Sequence, residues 1–150
     1  VEQALGSWRV PVRFVEGDAD KFAAFRLADA ALAASGTVTL ELGLAGTPAV
    51  VAYKVDAVAS RLRFLLKVKS IVLANLVADE IIYPEFVQEQ VTAGTLAGAV
   101  APLLSDSAER RRQIDLLRRV PERIATGGKQ PSALAADVVL DYATHARLRA

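Results

Sequence analysis

The run Ala49-Val50-Val51-Ala52-Tyr53 constrains the fold more than any other feature of this chain. It is continuously apolar and rich in β-branched side chains, and it does not alternate as a half-exposed strand would. Such a run suits a strand buried on both faces of a parallel sheet, so it is placed at the sheet centre. Parallel neighbours must be reached by long crossovers, usually helical, and the flanking sequence supplies candidates.

Upstream, residues 10–15, with Pro11 and an alternating apolar tail, read as a short strand. Asp18 or Asp20 then caps a helix running to about Leu27. Residues 29–34 form a small apolar run that stops at Ser35-Gly36-Thr37. There the pattern allows a strand, a tight turn and a short helix closed by Gly46. Downstream, residues 56–67 read as a helix with Val58, Leu62, Leu65 and Leu66 on one side, and Ile71-Val72-Leu73 as one more short strand. From about Thr92 the signal turns helical, over 92–104, from 107 to about 126 and from 132 to about 147. Ser107 and Ser132 are the caps, the second after the Gly127-Gly128 break, and Pro121 should kink or interrupt the middle helix. The expected fold class is α/β: a Rossmann-like parallel sheet flanked by helices, ending in an all-helical segment from about residue 92. Residues 1–150 are expected to form a single domain. Trp8 and Tyr53 are expected to serve packing.

Composition removes several kinds of chemistry. The chain has no cysteine, which excludes a disulfide scaffold, a thiol nucleophile and a Cys-ligated zinc site, and one histidine leaves little for a transition metal. No metal and no cofactor is expected. Lys and Arg number 18 against 17 Asp and Glu, so net charge gives no reason to expect nucleic acid as a partner. No apolar stretch approaches the ~20 residues of a membrane span, and the N-terminus lacks the layout of a signal peptide, so a soluble intracellular chain is expected. Methionine is absent even from position 1, and the opening Val1-Glu2-Gln3-Ala4-Leu5 reads as the inside of a helix, as in a piece of a larger protein.

In open parallel α/β sheets ligands bind beyond the carboxyl ends of the strands, which singles out Ser35-Gly36-Thr37. The glycine permits a tight turn, and hydroxyls and free N–H groups at a helix start favour an anionic or polyhydroxyl ligand. Glu41 follows one helical turn beyond Thr37, where a carboxylate can accept two hydrogen bonds from a vicinal diol such as a ribose. The same residues also fit a Ser or Thr helix cap with a capping-box glutamate, and both readings stay open at this point. Asp18-Ala19-Asp20 has the spacing of a metal-binding Asp-x-Asp pair but lies on the wrong loop. Basic residues cluster at Arg61, Arg63, Lys67 and Lys69, beside Phe64, Leu65 and Leu66, and again at Arg110, Arg111, Arg112, Arg118, Arg119 and Arg123. Each cluster fits either a solvated helix face or contact with an anionic membrane surface. His145 is expected to be exposed and inert.

The stretch from Ala28 through Ser35-Gly36-Thr37-Val38-Thr39-Leu40-Glu41, continued by Gly46-Thr47-Pro48-Ala49-Val50-Val51-Ala52-Tyr53-Lys54, resembles the lipid-A-disaccharide synthase family. A second stretch, Leu73-Ala74-Asn75-Leu76-Val77-Ala78 with Pro84-Glu85-Phe86-Val87-Gln88, resembles the same family's second signature. The resemblance covers essentially the whole chain as the later part of a C-terminal, UDP-sugar-binding domain. It implies a two-domain GT-B glycosyltransferase, inverting and working without an obligatory metal. That enzyme would join a UDP-diacylglucosamine donor to a diacylglucosamine 1-phosphate acceptor, releasing UDP, at the cytoplasmic face of the inner membrane. By resemblance, Glu41 is assigned to the uridine ribose, and Ser35, Gly36 and Thr37 to the donor diphosphate or sugar. Asn75, Glu85 and Gln88 match family positions near the cleft. A homodimer is compatible with the family.

Two departures matter. Many relatives continue with Gly-Arg where this chain has Asp79-Glu80, removing a cationic phosphate contact. The family's Gly-Ser-Arg loop, and the N-terminal domain expected to hold the acceptor and the catalytic base, are not in these residues, so these residues alone are not expected to catalyse transfer. Two competing readings remain: a non-catalytic nucleotide- or protein-binding α/β module, and the corresponding half of another UDP-sugar enzyme.

Overall fold

The structure, a computed structural model, describes residues 5, 8–54 and 69–147. Three parallel strands form one sheet in the order β1-β2-β3, where β1 is Ala31–Ala33, β2 is Ala49–Tyr53 and β3 is Glu85–Val87. The central position of β2 is the one its continuous apolar run requires. Val51 pairs with Ala33 on one side and Glu85 on the other, and Ala49, Val50 and Val51 are buried.

Helix α1 (Asp18–Leu27) precedes β1, and α2 (Thr37–Ala45) crosses from β1 to β2. The second crossover includes α3 (Leu73–Ala78). Beyond β3 the described residues are helical: α4 (Ala93–Val100), a 3₁₀ turn (Ala101–Leu104), α5 (Ala108–Leu117), α6 (Val120–Arg123) and α7 (Pro131–Arg147). The α/β class, parallel sheet and helical ending agree with the sequence.

One contiguous core holds these layers together. Leu42 of α2, Ala49 and Val51 of β2, Val72, Ala74 of α3, Ile82, Tyr83, and Leu116, Leu117 and Val120 of α5 and α6 pack as one cluster. Its polar members are each satisfied. Gln113 accepts from the Ala49 amide at 2.9 Å, which anchors the start of β2 to α5. The Tyr83 hydroxyl donates to the Thr47 carbonyl at 2.8 Å, and burial pushes its phenol well above the usual tyrosine range.

Several local expectations hold for the reasons given. Gly46 closes α2 in the left-handed region at φ 77°, and Ser107 caps α5 by accepting from the Arg110 amide at 3.0 Å. Pro121 is the second residue of α6, and α5 stops at Leu117 before it, since the proline ring conflicts with a continuous helical turn but is tolerated at a helix start.

Others are corrected. Residues 10–15 are not a strand; they run exposed and without regular structure, because no described strand lies beside them and an unpaired strand has no ladder to stabilise it. Trp8, expected to pack, is 60% exposed. Gly17, not an aspartate, is the N-cap of α1, and Asp18 and Asp20 sit in its first turn, where their charge favours the helix dipole. Ser132 is likewise inside α7, which begins at Pro131. Residues 71–73 form no strand: the Ile71 amide donates to Glu85, the Val72 amide to Ser70 Oγ, and Leu73 opens α3. Side chains and the helix take the backbone groups that a ladder would need. The expected helix at 56–67, with Arg61, Arg63 and Lys67, lies outside the described residues.

Candidate functional site

Because the strands are parallel, their carboxyl ends share one edge of the sheet. Ser35 follows β1 there at a distance of two residues, and Lys54 and Gln88 follow β2 and β3 directly. Gly36 turns the chain from β1 into α2 with φ 152° and ψ −167°, a conformation essentially confined to glycine. It is also the N-cap of α2, and among the described residues no side chain caps that helix. The capping reading of Ser35 and Glu41 therefore does not describe this turn. The Ser35 hydroxyl instead donates to the Ile71 carbonyl at 2.8 Å, and Thr37 is exposed as the first residue of α2. An uncapped helix start at a strand's carboxyl end is suited to an anion.

Glu41 lies on the second turn of α2 with its side chain 28% exposed. Its Oε2 is 3.0 Å from the Lys21 ammonium of α1, and the same ammonium is 3.0 Å from Asp18. Hydrogen bonds from Lys21 to Asp18 and then to Glu41 hold the lysine above its usual range.

Asn75 and Glu85 sit elsewhere, in a saturated network under the loop at 70–72. Asn75 Oδ1 accepts from the Ile82 and Tyr83 amides, each at 2.9 Å. Its Nδ2 donates to the Tyr83 carbonyl at 2.9 Å and to Glu85 Oε1 at 3.0 Å. All the hydrogen-bonding capacity of this buried amide is thus used within the chain. Glu85 also accepts from the Ser70 hydroxyl and, at 3.2 Å, from the Ile71 amide. A chain of contacts consequently runs from Asn75 through Glu85 and Ile71 to the Ser35 hydroxyl.

The structure therefore brings Ser35, Asn75 and Glu85 into one network, and Gly36 and Thr37 belong to the same turn as Ser35. Glu41 is paired apart from that network, and Gln88 stands just past β3 with φ 57°. Sequence reading missed Ser70, Tyr83 and Lys21. Ser70 and Tyr83 flank the Asn75 and Glu85 motifs, which was the available signal; Lys21 had none, being twenty positions from Glu41.

A hollow of about 170 Å³ opens beside this network, lined by Lys69, Ser70, Asn75, Leu76, Asp79, Glu80 and Ile81. Asp79 takes the left-handed conformation at the end of α3, φ 52°, a region that glycine adopts most readily. Lys69, 3.0 Å away, holds the Asp79 carboxyl below its ordinary range.

Much of the second basic cluster is structural. Arg110 binds the Asp29 and Leu103 carbonyls, and Arg112 donates to those of Ile81 and Ile82 at 3.0 and 3.1 Å. Arg111 pairs with Asp106 and Arg118 with Asp115. His145 is exposed against Asp141. Among the described residues no helix is long and apolar enough to cross a membrane, and no three acidic or histidine side chains group to hold a metal ion.

Comparison with known proteins identifies the pattern. A family model described as lipid-A-disaccharide synthetase matches residues 1–139. A lipid-A-disaccharide synthase of Bradyrhizobium diazoefficiens is 51% identical over 141 residues, covering 93% of this chain and 36% of that protein. Those of Nitrobacter winogradskyi and Rhodopseudomonas palustris are 47% and 45% identical, covering 99% and 97% of this chain and 38% and 37% of theirs. The chain thus spans little more than a third of the length of these relatives.

Proposed function

The chain belongs to the lipid-A-disaccharide synthetase family, and from that premise we propose that it is the donor-binding part of a glycosyltransferase of lipid A biosynthesis. The observation that carries the reading is the uncapped start of α2 at the carboxyl edge of the sheet, with the half-exposed Glu41 one turn further on. Backbone N–H groups there are suited to the UDP diphosphate, and the Glu41 carboxylate to the two ribose hydroxyls.

In this reading Ser35, Gly36, Thr37 and Glu41 face the donor. Asn75 and Glu85 act on it through the backbone they hold, and Gln88 borders the site from the end of β3. The reaction is an inverting displacement: the acceptor's 6-hydroxyl gives its proton to a base, its oxygen bonds to the donor anomeric carbon, and UDP leaves with the bonding electron pair. Donors at the α2 start offset the charge that grows on the leaving diphosphate. The base and the acceptor site are assigned to the remainder of a two-domain enzyme working at the inner face of the inner membrane.

The test is an NMR titration of the labelled chain with UDP, with AMP as control. Selective shifts in the amides of Ser35 to Glu41 with UDP support the reading. Equal response to both nucleotides, or none to either, favours the competing reading of a non-catalytic module.

A further inference from the structure

The Lys21–Glu41 pair has features that stability alone does not call for. Exposed ion pairs typically contribute little to folding because water and salt screen them. Here, however, the lysine is fixed from several sides before it reaches Glu41. Asp18, one turn earlier on α1, holds the ammonium at 3.0 Å, and that ammonium lies 5.3 Å from the centre of the Phe22 ring. Phe22 is itself set edge-on against Phe25, with ring centres 6.0 Å apart. Asp18 and Phe22 belong to α1, and only Glu41 belongs to α2. The first helix therefore presents an already oriented cation to a carboxylate of the second.

We propose that Lys21 is a positioning residue for nucleotide binding, fixing the Glu41 carboxylate in the orientation that receives the ribose hydroxyls. This inference rests on the donor-binding reading of Glu41. One oxygen of Glu41 meets the ammonium. A carboxylate has about four lone-pair directions, so the pair leaves acceptor capacity for two hydroxyls while removing the rotamer freedom that binding would otherwise have to quench. The cation also offsets the repulsion between Glu41 and a diphosphate bound one turn away at the start of α2.

The experiment measures UDP and 2′-deoxy-UDP affinity for the unaltered chain, Lys21→Met, Lys21→Arg, Glu41→Gln and the double variant Lys21→Met/Glu41→Gln. Lys21→Met is expected to weaken UDP about threefold to tenfold, as coupled neighbours do, with an unchanged thermal midpoint. Lys21→Arg should restore most of the loss. In the Glu41→Gln background, and for 2′-deoxy-UDP, the Lys21→Met effect should shrink to less than about twofold. If Glu41→Gln weakens UDP while Lys21→Met does not, or if the two losses simply add, the positioning role is overturned. Failure of the unaltered chain to bind UDP overturns the donor-binding reading itself, a distinct result.

Discussion

Glu41 and Glu85 are both glutamates that family resemblance assigns to a donor site, yet the fold treats them in opposite ways. Glu85 accepts from the Ser70 hydroxyl, the Ile71 amide and the Asn75 amide, all within one buried or half-buried network. Glu41 meets, among the described residues, a single partner on a neighbouring helix and keeps part of its surface in solvent. The Glu85 region spends its hydrogen bonds on shaping the loop that holds Ser35. The Glu41 region, in the proposed function, leaves acceptor capacity for a ligand. The two stretches that carry the family resemblance thus hold one glutamate committed to internal hydrogen bonds and one with acceptor capacity to spare, a difference that hydrogen-bond accounting exposes.

The largest effect expected to test this contrast is at Asn75. Asn75→Ala leaves the Tyr83 amide and carbonyl without their partner, while the Ile82 amide keeps its second acceptor, the Glu80 carbonyl. At about 1–3 kcal/mol for each buried group left unsatisfied, urea unfolding should show a loss of at least about 2 kcal/mol. A loss below 1 kcal/mol would mean that the network is not structural. Glu85→Gln comes next: the amide keeps the shape and one acceptor oxygen for Ser70 and Asn75, but its NH2 group then faces the Ile71 amide, donor against donor, and about 1–3 kcal/mol should be lost by the same measurement.

How much of this contrast the sequence reveals depends on where each determinant lies along the chain. The central strand and the Ser35-Gly36-Thr37 turn are legible because each is written in consecutive residues: a buried β-branched run, and a glycine in a conformation that other residues avoid. The β3 strand is not, since only Glu85–Val87 pair, directly after a proline. Ile71-Val72-Leu73 misleads for the opposite reason. Its composition is that of a strand, but the adjacent Ser70, together with Ser35 and Glu85 from elsewhere in the chain, takes its backbone groups. The Lys21–Glu41 pair joins two helices, and no local pattern announces it.

The smallest effect expected is electrostatic and lies away from both glutamates, which makes it a useful baseline. Hydrogen bonds from Arg112 and then Gln113 hold the Glu109 carboxyl below its ordinary range against the opposing effect of burial. A lowered folded-state value means that this contribution is present above the unfolded value and is lost as pH falls through the folded one. The Arg112 and Glu109 side chains are each more than a third exposed, so screening limits the contribution of their pair to a few tenths of a kcal/mol. Stability of the Glu109→Gln variant should accordingly depend slightly less on pH between about 5 and 3 than that of the unaltered chain.

The most direct measurement is a paired one on Glu41→Gln, recording its urea midpoint and its UDP affinity by calorimetry beside the unaltered chain. The account predicts an unchanged midpoint and a UDP affinity weaker by about 1–3 kcal/mol, the range for a lost charge-assisted hydrogen bond. An unchanged UDP affinity, or a loss of stability comparable with that of Glu85→Gln, would contradict it.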